Sequence, residues 1–197
     1  YQLYIMDQYR ILILMYYLIM LKRFVPYAYE KSIFDIDVND LASLGIKAIL
    51  TDLDNTLITY DESGPNEKVR EFKNNLNELG ISLIVCSNNK GKRVNRFSSS
   101  LGVGYGSFLR KPFSGPLKRM MNEKGLNKES TLMVGDQIMT DVLCGNAIGL
   151  KVILTEPLGK KEPLWTKINR CFDKPIRKKM QKKGLLKSLK ERIDGKI

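Results

Sequence analysis

Between Ile46 and Leu154 the chain alternates short, wholly apolar runs with longer amphipathic stretches, and this alternation restricts the fold more than any other feature. Four runs read as strands: Ala48-Ile49-Leu50-Thr51, Ser82-Leu83-Ile84-Val85-Cys86, Thr131-Leu132-Met133-Val134 and Lys151-Val152-Ile153-Leu154. Apolar residues throughout a run, instead of at every second position, mean that both faces of the sheet are covered. The intervening stretches have helical period. From Asn66 to Leu79, the residues Val69, Phe72, Leu76 and Leu79 share one face, and Gly80 supplies a C-terminal stop. Lys90 to Leu101, Pro116 to Lys124 and Asp141 to Ile148 repeat the pattern, each followed by a glycine. Strand and helix in repetition predict a doubly wound α/β domain, a Rossmann-like three-layer parallel sheet, with its working site at the carboxyl ends of the strands.

The chemically capable residues stand just past those runs. Asp52, Asp54 and Thr56 follow the first; Ser87, Asn88 and Asn89 follow the second; Asp136 and Asp141 follow the third, and Lys111 lies in the loop between the second and third. The chain has no histidine, so acid–base work falls to carboxylates, lysine, tyrosine or cysteine, which removes most hydrolase classes. Two carboxylates two residues apart at a strand end reach one side of the sheet edge, and Asp136 adds a third anion. With no arginine cluster in the same motifs, the expected neutraliser is a hard divalent cation held by oxygens, Mg2+. Asp52 is then an ionised nucleophile suited to a phosphoryl group, because the cation and Lys111 share the charge while Ser87 and backbone N–H groups donate to its oxygens. That attack yields an aspartyl-phosphate. Asp54 is the candidate general acid and then base, and Thr56 caps the turn that holds it. Asn88 and Thr56 join Ser87 as candidate phosphate-binding residues. Taken singly, Asp136 suits a turn, Ser87 an N-cap, Lys111 a solvated loop and Asp141 the N-cap of the next helix.

Asp52-Leu53-Asp54-Asn55-Thr56-Leu57, Ser87, Lys111-Pro112 and Gly135-Asp136 with Asp141 resemble the four motifs of the haloacid dehalogenase (HAD) superfamily in its phosphatase branch. The resemblance implies that Asp52 is nucleophile and metal ligand, and that Asp54 is acid/base and lends its backbone carbonyl to the metal. It implies phosphate binding by Ser87, charge balance by Lys111 and completion of the metal site by Asp136, with Asp141 in its outer shell. Phe24-Val25-Pro26 leading to Ser32-Ile33, the Gly-Asp-Gln-x-x-Thr-Asp form of the last motif, Gly145-Asn146 and Pro163-Leu164-Trp165-Thr166-Lys167 resemble the lidless YqeG-type phosphatases of subfamily IIIA. These are similar to phosphatidylglycerophosphate phosphatases of the mitochondrial type. One departure is Ala147, where such proteins tend to carry a basic residue after Gly-Asn.

Neither the interval from Asp52 to Ser87 nor that from Ser87 to Lys111 can house a cap domain, so the site is expected to lie open, favouring a substrate whose bulk stays outside. That describes a lipid headgroup such as phosphatidylglycerophosphate, a phosphoprotein or a nucleic-acid end. A further alternative is a non-catalytic module associated with ribosomes or RNA. From Leu158 to Ile197 there are 14 basic and 4 acidic residues, a net of +10, against +2 for the rest of the chain. Such a tail is attracted to anionic membrane surfaces, nucleic acid or acidic proteins, or is merely a solvated helical extension. Within it Leu164, Trp165, Ile168 and Phe172 have helical spacing, and Pro175 is expected to break the helix before a second one begins at Ile176.

The chain thus divides into an apolar extension over residues 1–25, a phosphatase-like domain over 26–157 and a basic tail over 158–197. Ile11 to Leu21 are apolar throughout, about half of what a bilayer core requires. They are expected to lean on a membrane surface, or else Met20 is the true start and residues 1–19 are translated upstream sequence. Cys86, Cys144 and Cys171 form no pairable framework and read as reduced thiols of a cytoplasmic protein, peripheral to the inner face of the membrane if its tail docks there. Oligomeric state is not legible.

Overall fold

The computed structural model describes residues 22–89 and 91–195. The apolar run expected to lean on a membrane, Ile11 to Leu21, lies outside them. Six parallel strands form one sheet in the order β1-β6-β5-β2-β3-β4. They are β1 (Ala28–Glu30), β2 (Ala48–Thr51), β3 (Ser82–Cys86), β4 (Gly104–Gly106), β5 (Thr131–Gly135) and β6 (Lys151–Thr155). The four strands read from sequence are the four central ones, the last two each extended by a residue. β1 and β4, the edges, were missed: three residues each carry too little pattern to read, and one of them is Gly-Tyr-Gly.

Alternation across the pleat sends successive side chains into two cores. Ile49, Leu83, Val85, Leu132, Val134 and Ile153 face one layer. Leu50, Ile84, Met133, Val152 and Leu154 face the other. The first layer contains α1 (Val38–Ser43), α2 (Glu67–Glu78), α3 (Lys92–Leu101) and α7 (Leu189–Asp194). The second contains α4 (Ser114–Glu123), α5 (Leu143–Ala147) and α6 (Leu164–Lys182). Burial on both faces explains why the strand runs are apolar at nearly every position. β2 pairs with β3 on one side and β5 on the other, so the strand order reverses around it. A crevice opens at such a reversal, at the carboxyl ends of the strands.

One expectation about the tail needs correction. α6 runs unbroken through Pro175, with Met180 buried in the second core within the next two turns. Packing on the domain outweighs the proline's missing N–H donor and its clash with the preceding turn. The tail also fills places inside the domain: Arg170, Asp173, Met180 and Leu189 are all buried. No cap is inserted between the strands. Among the described residues no helix is long and apolar enough to cross a membrane, and the three cysteines are unpaired.

Candidate active site

Asp52 is the first residue past β2, tied back to β5 by its N–H donating to the Val134 carbonyl at 2.9 Å. The chain then turns sharply. Asn55 takes a left-handed φ of 64°, which asparagine tolerates, and its side chain donates to the carbonyl of Lys161. Lys111 arrives on the loop that follows β4, and its Nζ donates to Asp52 Oδ1 at 2.7 Å, Asp141 Oδ1 at 2.6 Å and the Cys86 carbonyl at 2.9 Å. Three acceptors use all three ammonium protons. Desolvation works against this charge, yet the two carboxylates outweigh it and hold the ammonium well above the ordinary lysine range.

Asp141 is not the N-cap of α5. It lies in a π-helical turn, Ile138–Val142, with Oδ1 on Lys111 and Oδ2 accepting from the Gln137 N–H at 3.1 Å. Gly135 makes room for it: a Cβ there would come within 2.3 Å of Asp141 Cγ. Ser87 is buried past β3, its Oγ accepting from the Asn89 N–H at 3.1 Å. Both ends of the Asn88 amide are used on the backbone N–H and carbonyl of Lys111, at 2.7 and 2.9 Å. Asn88 therefore braces the loop that aims Lys111. Thr56 donates weakly, at 3.4 Å, to Asp136 Oδ1.

Beside the divalent cation expected as neutraliser, the structure brings arginines to these carboxylates, which the motifs themselves do not contain. Arg93 Nε donates to Asp54 Oδ1 at 3.0 Å, and Asn89 donates to Asp54 Oδ2 at 2.6 Å. Arg170, from α6, pairs with Asp136 Oδ2 and donates to the Asp136 carbonyl at 2.6 Å. Arg177, two turns on, donates to that same carbonyl at 2.7 Å. Asp173, between them on one helix face, accepts from the N–H groups of Ile138 and Met139. The tail helix thus fixes the loop that carries Asp136 and Asp141.

Sequence signals for these arginines existed. Arg93 sits in the first turn of α3, where the macrodipole disfavours cations and no acidic residue is present. Arg170 and Arg177 are arginines in a lysine-rich tail, and the rigid guanidinium fork suits bidentate contact with a carboxylate and its backbone.

Asp52, Asp54, Ser87 and Lys111 line a cleft of about 320 Å3, with Trp165 and Asn169 of α6 on its wall. Asp136 and Asp141 are wholly buried beneath it. Even with Lys111 beside it, burial pushes the Asp52 carboxyl up to about 8, helped by the Asp141 and Asp136 charges. Burial likewise pushes Asp136 up to about 6 against the pull of Arg170. The ionised forms of Asp52 and Asp136 are therefore disfavoured unless a further cation joins them, although no cluster of three acidic, cysteine or histidine side chains is preformed for a metal among the described residues. Lys111 occupies one oxygen of Asp52 and Arg170 one of Asp136, which leaves hard oxygen donors of the kind that suits Mg2+.

A family model described as HAD-hydrolase-like matches residues 108–168. Over 166 residues, 84% of this chain and 96% of the other, the sequence is 36% identical to the protein named "Probable phosphatase YqeG" of Bacillus subtilis (strain 168). The chain belongs to the HAD-like phosphatases. It is 26% identical over 82% of its length to phosphatidylglycerophosphate phosphatase 1, chloroplastic/mitochondrial, of Arabidopsis thaliana, and spans about half (49%) of that relative. A solved structure, the cobalt-bound deoxy-D-mannose-octulosonate 8-phosphate phosphatase of Haemophilus influenzae, matches 74% of this chain and 92% of its own at 18% identity and a TM-score of 0.44. In this HAD-like phosphatase Asn146, part of the Gly-Asn pair noted in the sequence, donates to the carbonyls of Arg23 and Val25 and so anchors the segment leading into β1.

Proposed function

We propose that this HAD-like phosphatase is a Mg2+-dependent phosphomonoester hydrolase that works through an aspartyl-phosphate on Asp52, with a phospholipid headgroup such as phosphatidylglycerophosphate as substrate. The observation that carries the chemistry is Asp52 at the floor of an open cleft with the Lys111 ammonium 2.7 Å from its Oδ1. A cation held by the Asp52 and Asp136 carboxylates and the Asp54 carbonyl would lower the charge barrier between an anionic nucleophile and an anionic phosphoryl group. Lys111 orients Asp52 and offsets part of that repulsion. The free oxygen of Asp52 attacks phosphorus, the bond to the alcohol oxygen breaks, and Asp54 gives the leaving oxygen its proton. Asp54 then takes a proton from the water that attacks the same phosphorus, releasing inorganic phosphate and restoring Asp52. To act in the first step Asp54 must part from Arg93, whose guanidinium is partly solvent-exposed, or from Asn89, which holds its other oxygen.

The lipid reading is supported by the open cleft, by the name of the Arabidopsis relative and by the cationic tail beside the site. Phosphate release from an aryl phosphate tests the chemistry: it should need Mg2+ and fall about a thousandfold or more in Asp52→Asn. A screen of phosphatidylglycerophosphate against 5′-phosphorylated oligonucleotides and phosphopeptides tests the substrate. Preference for either of the latter two would overturn the lipid reading and leave the mechanism standing.

A further inference from the structure

α6 turns its buried side, with Arg170, Asp173 and Met180, into the domain, and leaves the opposite side without a partner among the described residues. On that side Leu164, Trp165, Ile168 and Phe172 are 73, 78, 41 and 57% exposed. Large apolar side chains grouped this way on a soluble surface mark a contact site. Lys167, Lys174, Lys178, Lys179 and Lys182 stand exposed around and beyond the stripe, and the helix's lone acidic residue, Asp173, is buried. Every exposed charge on the helix is therefore positive.

We propose that this face of α6 is a docking surface for an anionic lipid bilayer. The chemistry of the stripe selects the partner. Aliphatic Leu164 and Ile168 offer no stacking plane for nucleic-acid bases, whereas hydrocarbon accepts all four side chains, with tryptophan at the interfacial level and lysine ammoniums reaching up to lipid phosphates. A basic flank on an apolar stripe complements a surface that is negative outside and apolar within. The position adds a consequence, which rests on the phospholipid reading above. Trp165 belongs both to the exposed stripe and to the wall of the catalytic cleft. A bilayer on this face borders the mouth of the cleft, so that a lipid phosphomonoester reaches Asp52 with its acyl chains still in the membrane.

Trp165 is the single tryptophan of the chain and reports on its own environment. The full chain is mixed with vesicles of phosphatidylglycerol and phosphatidylcholine, or of phosphatidylcholine alone, at low and high salt. Flotation with the anionic vesicles, weakened by salt, is expected, together with a shift of Trp165 emission to shorter wavelength and quenching by brominated acyl chains. Leu164→Ser with Phe172→Ser should lower partitioning by about tenfold or more at an unchanged thermal midpoint, since both side chains are already more than half exposed. Lys174→Glu with Lys178→Glu should weaken binding to the anionic vesicles through charge alone. Absence of both flotation and emission shift overturns the proposal. So does an emission change with polyuridylic acid but not with vesicles, or a dimer that buries Trp165 before lipid is added. A chain that floats but releases no phosphate from an aryl phosphate refutes the catalytic reading and not the docking surface; one that releases phosphate but stays in solution refutes only the surface.

Discussion

Lys111 stands between two carboxylates, Asp52 and Asp141, that could not both remain charged at that depth without it. Lys111→Met should therefore lower stability by about 3–5 kcal/mol, because the pair left behind is buried and uncompensated; urea unfolding checks it. An equally stable variant would show that the pair is not left uncompensated by the loss of the ammonium. Gly135→Ala acts on the same cluster from below, its new methyl overlapping Asp141, and should reduce both stability and phosphate release although it touches no substrate. Asp136→Asn removes a donor carboxylate while keeping its shape. The unmodified chain should gain thermal stability on adding Mg2+, and Asp136→Asn should lose most of that gain. All of Lys111, Asp136 and Asp141 were readable as candidates from their places after the apolar runs. Arg93, the partner of Asp54, and Arg170, the partner of Asp136, were not, because an ion pair joins residues through space and leaves only a faint mark, arginine where lysine or an acid is usual, in the local sequence.

Among the elements, α6 is the piece that sequence pattern misjudged. Pro175 reads as a break, yet the helix continues, since Arg170, Asp173 and Arg177 on one face each engage the Asp136–Met139 loop or its surroundings across two turns. Breaking the helix would forfeit those bonds together with the packing of Met180. Pro175→Ala should restore the missing N–H bond and raise stability by about 1–2 kcal/mol, measured by thermal or urea unfolding, because the position is exposed and the alanine adds no bulk. A loss of stability would mean that the proline shapes a bend the domain needs. α7 shows the opposite case. Its capping box, Ser188 with Glu191, is local chemistry, and it starts a helix of its own where the sequence pattern reads as a single helix from Ile176 to Ile193.

For the molecule as a whole, the boundary between domain and tail matters most. A chain ending at Pro157 keeps every residue of the four HAD motifs but loses Arg170, Arg177 and Asp173, and with them the pairing of Asp136 and the fastening of its loop. It should release no phosphate even from a soluble aryl phosphate and should unfold at lower temperature; retained activity would show the tail to be dispensable to the site. Residue order was enough for the class of fold, the four central strands and the polar residues at their ends. Burial on two faces writes itself into consecutive apolar positions, and a parallel sheet gathers the residues next along the chain at one edge. Three-dimensional packing was needed to choose which cation meets which carboxylate, to make the basic tail partly an internal wall of the cleft, and to leave one side of α6 bare. Those outcomes depend on distances between segments far apart along the chain, and a helix has the same period whether its apolar stripe faces a core or solvent.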